Sequence, residues 1–362
     1  MKIGFLINDL NAGGAERATT SLANYFVNHG VETTIITFKD SESFYPLEKN
    51  IRHCKVNFEE IEHSVSLKRL IGTVKRMFRV RAYIKSLDLD ILIGMSFYMT
   101  WYAVFATFFT KTKAIGTERN NPYKYKSTRF NTILRKFFYR ICNGYIFQTK
   151  KASEFFTDSL RKSDIIIPNA IFNKAIYEMT PPTKREKIIS AVGRLTEQKR
   201  FDLLIEAFNI IADKIPDYNL IIFGEGELRN QLENQINELG LNKRISLPGT
   251  STEAIKTVNR SSVFVLSSDL EGMPNALMEA LAMGVPCIST RCDMGPEDLI
   301  ENNVNGILVE VGNAKEISAA ILKIIENPGF SATLSSQARE LVKTHSIEEI
   351  SNKWLKYLNG II

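Results

Sequence analysis

The chain reads as an α/β protein of two doubly wound domains, and three observations predict this. Its 362 residues exceed the roughly 250–300 over which one hydrophobic core keeps growing. Short apolar runs alternate with helix-periodic segments along the whole length. The alternation then restarts after a polar break at Pro181-Pro182 in IYEMTPPTKREK. Strands that alternate with helices imply parallel sheets built by right-handed crossovers.

In order, the first series runs KIGFLIN, a helix from about Ala15 to His29, VETTIITF, IRHCKV, DILIG, KAIGTE and NGYIFQT. The second runs KIISAVG, the helix FDLLIEAFNIIADKI, NLIIFG, the helix LRNQLENQINEL, RISLPG, TEAIKTVNR, VFVLSS, NALMEALAM, VPCIST, NGILVEV and EISAAILKIIE. We therefore expect a first domain at 1–178, a second at 179–345, and a closing helix at 346–362. That helix sets Ile347, Ile350, Trp354, Leu355 and Leu358 on one face and could pack back across either domain. In open parallel sheets ligands lie beyond the carboxyl ends of the strands, so two such domains facing each other would form a binding cleft.

A composition of 44% hydrophobic and 24% charged residues excludes a disordered chain. Cys54, Cys142, Cys287 and Cys292 form no CxxC pair and the four histidines no ligand-like cluster, which argues against a disulfide framework or zinc site. MKIGFLIND meets Asp9 after too short an apolar run for a secretory leader, so the expected compartment is the cytoplasm. Ile91 to Thr110 is a twenty-residue stretch without a charge, long enough for a membrane span. It also divides into a buried strand ILIG and an aromatic helix from about Tyr98, which suits the strand KAIGTE that follows.

Charge is uneven. Residues 1–175 hold 27 Lys and Arg against 15 Asp and Glu, and the remainder 19 against 25. Leu67 to Leu87 carries seven bases and no acid among aliphatic residues at helical spacing, and KYKSTRFNTILRKFFYR is a second basic stretch. Such segments suit an anionic membrane surface, although an ordinary surface helix also shows a basic face. No helix-turn-helix, RNP or KH pattern accompanies them, so nucleic acid is not the expected partner.

Three stretches carry chemistry. NDLNAGGAER follows the first strand, and Gly13-Gly14 leaves backbone N–H groups open to a polar or anionic group, or simply makes a turn. AVGRLTEQKR follows the first strand of the second series, where Arg194 and Lys199 could converge on a pyrophosphate or merely form a solvated basic loop. EGMPNALMEALAMGVP follows VFVLSS; Pro274 places a helix start near Met273 to Asn275, and Gly272 opens its unpaired N–H groups. That helix end bears roughly half a positive charge, a prepared phosphate site, with Glu271 before it and Glu279 in its second turn. The two acids could equally be a dipole cap and a solvent-facing side chain. In FGEGEL, Gly224 and Gly226 open a strand-to-helix turn. Asp88-Leu89-Asp90 has the spelling of a manganese-binding DxD but sits directly before a strand, and no metal site is expected there.

GGAE at 13–16, VGRL with Arg194 and Lys199, FGEGEL, and above all E-x7-E at Glu271–Glu279 with ALAMGVPCIST and NGILVEVGN resemble glycosyltransferase family 4. The resemblance covers nearly the whole chain and is loosest at about 40–110. It implies the GT-B architecture of two Rossmann-like domains and retaining, metal-independent hexosyl transfer by front-face attack through an oxocarbenium-like state. It implies that Arg194 and Lys199 stabilise the departing diphosphate, Glu271 contacts sugar hydroxyls, and Glu279 binds the ribose. Backbone N–H groups around Met273 to Asn275 would hold the distal phosphate, with Gly14 against the diphosphate; the turn at Gly224 and Gly226 would lie near the nucleotide or be a plain turn.

Many members carry a histidine where this chain reads GTERNNP, and no histidine lies nearby. The ERN form resembles a subset linked to surface polysaccharide and oligosaccharide assembly, and Glu118 or Arg119 could serve in place of the histidine. The implied donor is a UDP-sugar, with no cofactor. The implied acceptor is a polyprenyl-diphosphate-linked saccharide, reached by a peripheral protein at the inner face of the cell membrane. A sugar-nucleotide epimerase or hydrolase of this fold and a non-catalytic assembly partner are the alternatives.

Overall fold

The computed structural model describes residues 1–11, 13–40, 42–56, 66–124 and 128–362, the side chains of 66–74 excepted. The side chains of the first part of the basic helix, and residues 125–127 of the second basic stretch, thus lie outside what is described. Contacts divide the chain into two units, Met1–Phe172 with Ile347–Ile362, and Asn173–Ser346.

The first unit contains, in chain order, β1 (Lys2–Ile7), α1 (Gly14–Asn28), β2 (Glu32–Thr37), β3 (Arg52–Lys55), α2 (Ser66–Ser86), β4 (Ile91–Gly94), α3 (Phe97–Thr107), β5 (Lys113–Glu118), α4 (Arg129–Ile141), β6 (Gly144–Phe147), α5 (Lys150–Glu154) and β7 (Asp164–Ile166). All pairings are parallel, in the order β3-β2-β1-β4-β5-β6-β7. Strand order reverses between β1 and β4, the switch point where open sheets bind ligands. Continuous apolar runs such as ILIG, buried at all four positions, are what a sheet covered on both faces requires.

The stretch Ile91 to Thr110 is therefore a strand and a helix. Ser96 caps α3 by accepting from the Met99 N–H. No described helix is long and apolar enough to cross a membrane. The DxD spelling also has a structural occupation: Asp90 accepts from the Lys2 N–H at 2.7 Å, tying down the start of β1, and Asp88 pairs with Lys2 Nζ at 3.2 Å.

The second unit contains α6 (Ala175–Glu178), β8 (Glu186–Val192), a 3₁₀ turn at Glu197–Lys199, α7 (Phe201–Ile211), β9 (Asn219–Phe223), α8 (Arg229–Glu238), β10 (Ile245–Gly249), α9 (Ala254–Arg260), β11 (Ser261–Leu266), α10 (Asn275–Ala282), β12 (Cys287–Thr290), α11 (Pro296–Leu299), β13 (Ile307–Val309), α12 (Ala314–Glu326), α13 (Pro328–Arg339) and α14 (Leu341–His345). Its parallel sheet runs β10-β9-β8-β11-β12-β13, with the switch point between β8 and β11. The core gathers on α7 and α12, whose Leu204, Phe208, Ile317 and Ile321 are wholly buried.

The last helix, α15 (Ile347–Asn359), belongs to the first unit. Ile350, Trp354 and Leu358 enter its core beside Phe26. Tyr25 donates to Asn352 at 3.1 Å and Tyr357 to the Ser163 carbonyl at 2.7 Å. Of the two docking choices open in the sequence, the helix takes the first unit, where α1 presents Leu22, Ala23 and Phe26 to it.

Candidate active site

In the second unit the site is built on the two loops that leave β8 and β11, on either side of the switch point. The 3₁₀ turn at the end of the first loop is latched onto the second. The Asp269 N–H donates to the Gln198 carbonyl at 2.9 Å, Gln198 Nε2 to the Leu270 carbonyl at 2.6 Å, and Ser267 Oγ to the Lys199 carbonyl at 2.8 Å. Arg200, in a left-handed backbone at φ 49, is held there by Asp202 and Asp269 at 3.0 and 3.1 Å. These bonds fix the backbone on which Lys199 stands.

Lys199 Nζ meets Glu271 Oε1 at 2.5 Å, and Ser268 Oγ donates to the same oxygen at 2.6 Å. Glu271 is 7% exposed, and its pairing with Lys199 offsets the cost of burying a carboxylate. Both bonds fall on Oε1; among the described residues none falls on Oε2. A lysine ammonium has three hydrogens, so Lys199 keeps two to donate. Arg194 stands apart from this pair. It is exposed and lines a cavity of 270 Å³ with Gly193, Gly224, Thr250 and Ser251 at the ends of β8, β9 and β10.

α10 begins at Asn275 with Pro274 as its cap residue in an extended backbone, and its first helical bond runs from the Met278 N–H to the Pro274 carbonyl. No side chain caps this end. Leu277, Ala280 and Leu281 are fully buried, which sets Glu279 half-buried on the remaining side. Gly272, Met273 and Pro274 form the turn leading into the helix. That turn leans on Gly295, at φ 89, where a Cβ would lie 2.2 Å from the Gly272 carbonyl oxygen. Only glycine suits both the backbone and the space.

In the first unit the predicted residues also gather at carboxyl ends of strands. Gly13 precedes α1, and a Cβ on it would lie 2.1 Å from Glu16 Oε2, so the Glu16 carboxylate folds over the glycine. Gly14, the first helical residue, is exposed. Burial raises the pKa of Glu16, while its own backbone N–H and the Arg119 guanidinium act the other way. Arg119 Nη2 donates to Asn169 Oδ1 at 2.5 Å, with the Gln148 carboxamide against both. Burial pulls Arg119 down to about 10, opposed by Glu16.

Glu118, beside it in sequence, is 1% exposed and pushed up to about 7 by burial, against the nearby Arg135 and the backbone N–H groups of Asn120 and Arg119. Of Glu118 and Arg119, only Arg119 is partly open to solvent. Ser268, Gly295, Gln148 and Asn169 escaped the sequence reading. Gly295-Pro296, a glycine before a helix-starting proline, was the one available signal among them.

Comparison with known proteins agrees on what this arrangement belongs to. The family profile described as Glycosyltransferase Family 4 matches residues 12–171, and that described as Glycosyl transferases group 1 matches residues 174–341. An uncharacterized glycosyltransferase of Methanocaldococcus jannaschii is 31% identical over 296 residues, covering 69% of this chain and 73% of that one. The chain belongs to glycosyltransferase family 4. It is a hexosyltransferase of the GT-B fold, with two Rossmann-like units.

A second relative of this family-4 enzyme is the GalNAc-alpha-(1->4)-GalNAc-alpha-(1->3)-diNAcBac-PP-undecaprenol alpha-1,4-N-acetyl-D-galactosaminyltransferase of Campylobacter jejuni. It is 26% identical over 359 residues, covering 99% of this chain and 98% of that one. The crystal structure of Anabaena HepE with UDP superposes with a TM-score of 0.80 at 18% identity, covering 99% of this chain and 100% of that one.

Proposed function

We propose that this family-4 glycosyltransferase transfers a hexose or N-acetylhexosamine, with retention, from a UDP-sugar to a polyprenyl-diphosphate-linked saccharide in surface glycan assembly. It would act without a metal, as a peripheral protein at the inner face of the cell membrane, held there by its basic first unit. The Campylobacter relative, named for transfer to a PP-undecaprenol glycan, and HepE, solved with UDP, support the acceptor and donor classes.

One observation carries the reading: Glu271 Oε1 is fixed by Lys199 and Ser268 beside the uncapped start of α10. Oε2 would then accept from the hydroxyls of the transferred sugar, and the backbone N–H groups of Met273 to Asn275 would take the distal phosphate. The two remaining Lys199 hydrogens, with Arg194, would stabilise the leaving diphosphate, where preorganised positive donors lower the barrier most. The cavity beside Arg194 and Gly224 suits the nucleoside, and Glu279 the ribose. In the first unit, taken by itself, the backbone at Gly13 and Gly14 and the Arg119 guanidinium are the groups suited to a phosphate or sugar.

The test is a contrast between the two acids. Glu279→Gln should weaken UDP-sugar binding by about tenfold, the effect of one charge-assisted hydrogen bond, with turnover at saturating donor little changed. Glu271→Gln should cut kcat by more than it weakens binding. Calorimetric titration together with initial rates reads both, and the opposite pattern would sink the assignment of sugar to Glu271 and ribose to Glu279.

A further inference from the structure

Helix α4 turns an apolar stripe away from the protein. Its inner face carries Arg135 and Tyr139, 2% and 3% exposed, while Phe130, Ile133, Phe137 and Ile141 are 67%, 66%, 53% and 41% exposed. Steps of three, four and four residues align these four along one side of a helix. The inversion has a local cause. Arg135 is accommodated inside because its guanidinium lies 4.3 Å from the centre of the Phe97 ring and donates to the Pro122 carbonyl at 2.9 Å. Arg129, Lys136 and Arg140 follow one edge of the stripe by the same helical arithmetic, and α4 has no acid. Residues 119–153 around it hold nine Lys and Arg and no Asp or Glu.

The neighbouring helix also ends in exposed aromatic residues. α3 packs on α4 by stacking Trp101 on Phe138 at 5.1 Å, and it runs out into Phe108 and Phe109, 54% and 90% exposed. Phe109 is held at φ 58, a left-handed conformation unfavourable for an aromatic residue, and such outliers concentrate at functional surfaces. The described part of α2 shares this only at Phe78, 60% exposed. Arg81 is committed to the carbonyls of Phe105 and Ala106 at 3.0 and 3.1 Å, and Val80 and Ile84 are buried.

We infer that the outer face of α4, continued by Phe108 and Phe109, is the surface by which the first unit docks on an anionic lipid bilayer. The aromatic and aliphatic side chains enter the headgroup boundary and the basic edge pairs with lipid phosphates. Charge decides the occupant, since an apolar stripe with bases along one edge and no acid on the helix matches an anionic bilayer better than a second copy of an equally basic face. The inference rests on the reading that the enzyme works at a membrane, and it names the element that makes contact.

Co-sedimentation with vesicles of 30% phosphatidylglycerol in phosphatidylcholine, and with pure phosphatidylcholine, tests it on the full chain. The wild type should bind the anionic vesicles more tightly. Phe130→Ser with Ile133→Ser and Phe137→Ser should lower that partitioning about tenfold or more, with thermal melting and UDP titration unchanged because the three side chains are already exposed. Lys136→Gln with Arg140→Gln should remove most of the preference for anionic lipid. Wild-type-like binding by the triple serine variant overturns the assignment of α4 while leaving membrane action standing. Absence of wild-type binding overturns both. A concentration-dependent dimer dissolved by the triple substitution, with no vesicle binding, would show that the stripe pairs two copies of the chain.

Discussion

Glu271 and Glu118 show how one residue type serves two ends. Glu271 is buried with Oε1 bonded by both Lys199 and Ser268. Glu118 is as deeply buried, yet neither of its oxygens meets a hydrogen-bond partner of good geometry among the described residues, and burial pushes it from an ordinary 4.5 up to about 7. Between those values the folded chain holds a proton that the unfolded chain has released. Stability from this group is therefore greatest at low pH and falls as pH rises from 4.5 through about 7, by on the order of 3 kcal/mol. Glu118→Gln, neutral at every pH, should flatten that slope. Melting temperatures of both proteins from pH 5 to 8 should diverge in favour of the variant as pH rises, and parallel curves would contradict the burial argument. Neither behaviour was legible in sequence. EGMPNALME shows its acids, but Ser268 reads as the end of a strand, and the Lys199–Glu271 pair joins positions 72 apart.

At the scale of elements, the start of α10 depends on a partner loop. Pro274 makes the helix start legible, because its fixed φ suits the approach to a helix and ends the need for one N–H. What supports the turn is Gly295, whose Hα, in the place a Cβ would take, faces the Gly272 carbonyl and the Pro274 ring. Gly295→Ala would force a side chain at φ 89 into that space, costing about 1–3 kcal/mol and shifting the N–H groups proposed to hold phosphate. A lowered melting temperature together with weaker UDP binding is expected; unchanged values for both would detach the loop from the site. Long periodic elements such as α1, α7 and α12 were readable because their apolar spacing is set by burial on one face. β7 was not, since Asp164–Ile166 has three residues, all only half-buried, too few to show a period. α13 was missed although Asn327-Pro328 marks its start, because its small and polar residues give a weak apolar face.

Over the whole molecule, two switch-point sheets and the composition of their carboxyl-end loops were legible, whereas the docking of α15 was a choice that only tertiary packing makes. Trp354, 1% exposed in the first unit's core, commits the end of the chain to the unit that also holds its beginning. The family assignment then rests on matches running through both units, and the proposed reaction on the Lys199–Glu271–Ser268 cluster beside α10. The most direct test of that reaction is UDP release from a panel of UDP-sugars, with and without a polyprenyl-diphosphate-linked saccharide, with mass spectrometry of the lipid product. The account predicts UDP release only when acceptor is present, with one sugar added to it; conversion or hydrolysis of the UDP-sugar without acceptor, and no lengthened lipid product, would contradict it.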